Sequence, residues 1–169
     1  MYDEIFTFSQ ALANLAYELD IGNVALISSS RRTVQTFLSE ATALGIRVPH
    51  ILELNSRLRS TLPVQVESFL AKVTGQTSAD QRPAVAIIVE AGEAVAVADH
   101  LVTQEGLGSS RPFWLVGSLG LDLRNDKMAA WKKVFDGGLF VEPHMPELAE
   151  FKTYFITTLQ VLLIYRQLT

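Results

Sequence analysis

Residues 84–89 form an unbroken run of six apolar residues, mostly alanine and β-branched, between Pro83 and Glu90. A strand with one wet face alternates apolar and polar residues. A run greasy on both sides belongs to a strand covered twice, which points to a parallel sheet sheathed by helices. Parallel neighbours must be joined by crossovers of a dozen or more residues, usually helical. The flanking sequence supplies them.

Phe8, Leu12, Leu15, Ala16 and Leu19 recur at helical spacing, Gly22 predicts the stop, and residues 23–28 read as a buried strand ending in serines. Val34, Phe37, Leu38, Ala41 and Leu44 repeat the stripe up to Gly45, and residues 51–54 form a short strand. Residues 55–63 read as a polar loop, followed by a helix carrying Val66, Phe69, Leu70 and Val73 and closed by Gly75. Beyond the central strand, residues 92–104 carry Val95, Ala98, Leu101 and Val102 on one face. Residues 113–116 give a fourth strand, residues 127–134 a short helix, residues 139–141 a fifth strand, and the last helix starts near Pro146. The expectation is one domain over residues 1–169: a three-layer α/β sandwich on a mainly parallel sheet of about five strands.

Composition narrows the function. With 14 Lys+Arg against 18 Asp+Glu the chain carries −4, and 49% of it is hydrophobic, which excludes a disordered tail and argues against a non-specific nucleic-acid binder, whose phosphate-tracking surface would be basic. The absence of cysteine excludes thiol catalysis, Cys-ligated zinc and disulfides. Asp3 and Glu4 replace the basic start of a signal peptide, and the longest uncharged apolar run, residues 153–165, is too short for the ~20 residues of a membrane span. No Gly-x-Gly-x-x-Gly follows the first strand and no Walker sequence occurs, so no cofactor is implied.

In such sheets, ligands meet the loops beyond the carboxyl ends of the strands. Ser28, Ser29, Ser30 and Arg31 form the most informative cluster there. Either Ser30 caps the next helix and Arg31 and Arg32 face solvent, or the hydroxyls, the free N–H groups and Arg31 hold a carboxylate or phosphate. Glu90 ends the central strand, where it either is solvated or complements a ligand ammonium group. Gly117, Ser118, Leu119 and Gly120 miss the nucleophile-elbow spacing by one position, so Ser118 reads as a rim serine, not a nucleophile. Asp126 reads as a helix cap, with Asp122 nearby. His50, His100 and His144 lie on separate elements, which argues against a metal site; His100 reads as a solvated helix residue. No nucleophile, base and orienter converge, and the chain reads as a non-enzyme. The last helix, residues 146–169, is apolar around most of its axis and calls for cover by the sheet or by a partner such as a second copy.

Three strings carry a family resemblance: Phe113, Trp114, Leu115, Val116, Gly117, Ser118; then residues 136–143 with Gly137 and Gly138; then Phe151, Tyr154 and Phe155. Together with the spacing of residues 23–37 and 84–90, they resemble the second lobe of the Venus-flytrap module of class C receptors such as the metabotropic glutamate receptors. The resemblance covers about residues 5–155. It implies a type I periplasmic-binding-protein lobe, flavodoxin-like, on the extracellular side of a plasma membrane. It also implies a small-molecule ligand shared with a first lobe that this chain lacks, and pairing of two copies. The family's aspartate for the ligand ammonium group falls at Leu119, so the receptor-type amino-acid contacts are mostly absent. The expected function is therefore a non-catalytic ligand-binding or interaction domain, with Ser28–Arg31, Glu90 and Ser118 facing the cleft. The alternative is a structural dimerisation module that engages a protein through its last helix.

Overall fold

The computed structural model describes residues 4–54, 61–75, 82–103, 111–117 and 134–141. The chain order is α1 (Glu4–Glu18), β1 (Val24–Ser28), α2 (Arg31–Ala43), β2 (Ile51–Glu53), α3 (Leu62–Gly75), β3 (Ala84–Ile88), α4 (Ala91–Thr103), β4 (Phe113–Gly117) and β5 (Leu139–Val141). The strands form one sheet in the order β2-β1-β3-β4-β5, and every neighbouring pair is parallel. The three-layer α/β sandwich expected from the sequence is present.

The unbroken apolar strands now have their reason. Ala25, Ile27, Val85, Ile87, Trp114 and Val116 point into a core shared with α3 and α4. Their alternates Val24, Leu26, Ala84, Ala86, Ile88 and Leu115 point into a second core under α1 and α2. Each central strand is buried on both faces, so period-2 alternation has nothing polar to show. The helical layer over the second core is also tied laterally, by Gln10 Nε2 donating to Glu40 Oε1 at 3.2 Å.

Several local expectations are corrected. The stop of α1 is Asp20, in the left-handed region at φ 56°, and not Gly22. Asp20 N–H bonds the Tyr17 carbonyl and Ile21 N–H the Ala16 carbonyl, a Schellman-type ending that carries Leu19 out to 43% exposure. The same ending recurs after α2, where Gly45 takes φ 75° and Ile46 N–H reaches the Ala41 carbonyl. The buried face of α4 is Ala94, Val97, Ala98 and Leu101, whereas Val95 is 36% exposed. Helix α3 begins at Leu62, so Pro63 lies in its first turn, where its missing N–H costs nothing. Of the expected helix at residues 127–134 only Val134 is described, in helical conformation, and the expected helix at 146–169 lies outside the described residues.

Asp20 is the wrong residue for its place on two counts, as a side chain at positive φ and as a negative charge at a helix C-terminus. Asp20→Gly is expected to raise stability by about 1 kcal/mol, and Asp20→Asn by the electrostatic share only, about 0.3–0.5 kcal/mol. Thermal midpoints check this, and equal gains for the two variants would remove the backbone argument.

Gly138 turns into β5 beneath Trp114. A Cβ there would stand 2.9 Å from the Phe135 carbonyl oxygen and 3.0 Å from Trp114 Cβ and carbonyl oxygen. Backbone atoms cannot yield as a flexible side chain would, so Gly138→Ala is expected to cost about 1–3 kcal/mol. Gly22→Ala, with nothing within 4 Å of the new carbon, is the control. A Gly138→Ala midpoint within a degree of that control would refute the steric account.

Candidate functional site

Strand order reverses between β1 and β3, since β2 lies on one side of β1 and β4 beyond β3. The chain leaves those two strands toward opposite faces of the sheet, and in doubly wound sheets the crevice at such a switch point is where ligands bind. Ser28 is fully buried, level with Ile88 of β3, and its hydroxyl is committed locally. It accepts from Ser30 N–H and lies within bonding distance of the Ser30 carbonyl, both at 3.3 Å. Ser28 is thus a scaffold residue of the turn, not a ligand contact. The Ser28 carbonyl accepts from Leu54 N–H at 2.7 Å, which anchors the end of β2 to the same turn.

Ser29 carries the join across the crevice: its Oγ accepts from Glu90 N–H at 3.3 Å, linking residues 61 apart in sequence. The loops after β1 and β3 are therefore fastened to each other. Arg31 and Glu90 are exposed on this rim and Ser30 is half-buried. Gly117 pairs with Ile88 and brings β4 to the same edge; Ser118, the next residue, lies outside the described residues. So do Asp122, Asp126 and His144.

The two helix starts beside the crevice differ electrostatically. Ser30 has the extended backbone of an N-cap (φ −138°, ψ 128°), yet its side chain makes no capping bond and the first turn of α2 holds no acid. The first helical bond there is Val34 N–H to the Ser30 carbonyl, so the preceding N–H groups of α2 stay free of the helix ladder. Of the two roles weighed for Ser30, the structure shows the cap position without the cap bond. Helix α4, in contrast, opens on Glu90, whose carbonyl accepts from Glu93 and Ala94 N–H. Glu93 sits in its first turn at 6% exposure, with Oε2 lacking a hydrogen-bond partner among the described residues. A carboxylate already occupies the favourable end of α4, while that of α2 is open to an anion.

The sequence reading missed two features here. Glu93 stands three residues after Glu90, the position from which a carboxylate reaches back in a capping box, and that spacing was the available signal. The Ser29–Glu90 bond has no local signal at all. His100 is also corrected: its side chain is 11% exposed, with Nε2 3.6 Å from Glu67 Oε1 on α3, so it is an interhelical residue and not a solvated one. Among the described residues no three His, Asp or Glu side chains gather as a metal site. Among the same residues no helix is long and apolar enough to cross a membrane.

The fold and this edge define a doubly wound α/β domain with flavodoxin-like strand order and its switch point between β1 and β3. No protein-family model matches the chain, and no curated protein aligns with it significantly.

Proposed function

We propose that this chain is a non-catalytic ligand-binding lobe, one jaw of a two-lobe clamp of the Venus-flytrap type. It takes a small polar molecule at the crevice between β1 and β3. The observation that carries the reading is the Ser29–Glu90 bond, which ties together the two loops that a ligand at a switch point would touch. A ligand anion would meet the open N–H groups of α2 and Arg31; a cationic group would meet Glu90. The other wall of the site would belong to a first lobe. In this reading the domain works on the outer side of a plasma membrane, and two copies pair.

Thermal-shift titration with amino acids, sugars, nucleotides and inorganic phosphate is the test. A ligand at a hundred times its Kd raises stability by about 2.7 kcal/mol, which for a domain of this length is a shift of roughly 5–10 °C. Arg31→Gln and Glu90→Gln are expected to abolish the shift while leaving the ligand-free midpoint in place, because both side chains are exposed. No shift with any class, or a shift that survives both substitutions, would refute this reading.

A further inference from the structure

We propose a second binding site at the opposite, amino-terminal edge of the sheet, for a small apolar molecule bearing a carboxylate. A cleft of about 720 Å³ lies there, within the range of small-molecule sites. Ile21, Val73 and Phe113 give it apolar walls, and Arg47 and Arg82 bring two guanidinium groups from separate connections.

The sheet register places those arginines. Asn23 bridges Arg47, and Val24 pairs with Ala84, so Arg47, Asn23 and Pro83 stand level across three adjacent chains. With neighbours about 4.8 Å apart, the Arg47 backbone lies roughly 10 Å from that of Pro83, next to Arg82. Two extended arginine side chains can meet over one anion across that span.

An arginine at this edge has an ordinary alternative role, capping the helix C-termini that gather there. For α1 and α2 the structure removes that need. The last turns of α1 and α2 close on backbone N–H groups of Asp20, Ile21, Leu44, Gly45 and Ile46. The Arg47 guanidinium makes no hydrogen bond or ion pair among the described residues. Arg82, on the cleft lining, is steadied by Nε donating to the Arg111 carbonyl at 3.2 Å, a bond that does not use its terminal nitrogens. Asp20 is the acidic group on the lining and sets the sign of a control.

Calorimetric titration of the full chain with octanoate, octanol and inorganic phosphate tests the site. Octanoate is expected to bind saturably at one per chain, and octanol and phosphate at least about tenfold more weakly, since the site rewards the charge and the chain together. Arg47→Gln and Arg82→Gln should each weaken octanoate about tenfold, and Asp20→Asn should tighten it severalfold. Both arginines are exposed, so folding is kept, which unchanged thermal midpoints verify. Equal affinity for octanol, binding of phosphate alone, unchanged binding in both arginine variants, or no saturable heat would each overturn the proposal. None of these outcomes bears on the rim between β1 and β3.

Discussion

Trp114→Ala is expected to lower stability by about 3–5 kcal/mol, a large part of the roughly 5–15 kcal/mol of an ordinary domain. Trp114 is buried in the core beneath α3 and α4. Its ring meets Phe135 edge-on at 5.4 Å and 80°, and Phe135 meets Phe140 the same way at 5.7 Å and 88°. Truncation therefore empties the largest fully buried side chain among the described residues and removes the edge-on contact that Phe135, in the turn before β5, makes with this ring. Trp114→Phe is expected to behave quite differently. The indole Nε1 is buried without a hydrogen-bond partner among the described residues, so phenylalanine discards an N–H that gains nothing and keeps most of the ring packing. Its cost should stay below about 1.5 kcal/mol. Urea unfolding at constant m-value measures both. A Trp114→Phe loss as large as that of alanine would mean the N–H has a partner that matters, and the packing account would fall.

The layer order was legible because β1, β3 and β4 are covered twice and must be apolar throughout, and because Gly22 stands ahead of β1, Pro83 ahead of β3 and Pro112 ahead of β4 to bound those short runs. The helical stripes of α1 and α2 were legible for the complementary reason, since their outer faces carry polar residues such as Asn14, Gln35 and Ser39. Helix α4 defeated the same method. Residues 94–98 are all alanine or valine, so periodicity alone cannot choose between Val95 and Val97, and packing against α3 decides for Val97. The end of α1 was misplaced because glycine is the usual left-handed residue; Asp20 holds that conformation where Gly22, two residues later, is not needed.

The rim was half legible. Position at a strand end is a topological property, so Ser29, Arg31 and Glu90 could be assigned to one edge from the alternation of elements. Which hydroxyl does what could not. The sequence offers three consecutive serines, and the structure gives them different tasks: Ser28 locks its own turn, Ser29 clasps the neighbouring loop, and Ser30 takes the cap position with its side chain uncommitted. The amino-terminal cleft was not legible, because Arg47 and Arg82 each look like a solvated loop residue until the register of β1 with its two neighbours sets them side by side.

Phe37→Ala tests the other half of the sandwich. Phe37 is fully buried on α2 in the core that also holds Leu12, Leu26, Ile46 and Leu115. Its removal leaves a void in that core, where α2 packs on α1 and on the β1 edge of the sheet. A loss of about 3–5 kcal/mol is therefore expected, against roughly 1 kcal/mol for Phe37→Leu, which keeps most of the volume. The sheet lies between this core and the one under α3 and α4, so milder substitutions on opposite faces share no partner. Phe37→Leu and Val66→Ala should add within about 0.5 kcal/mol, while Phe37→Leu combined with Leu12→Ala, inside one core, should not. Coupling across the sheet as strong as that within one face would show that the strands do not separate two independent cores, and the account of why β1, β3 and β4 are apolar on both sides would fail with it.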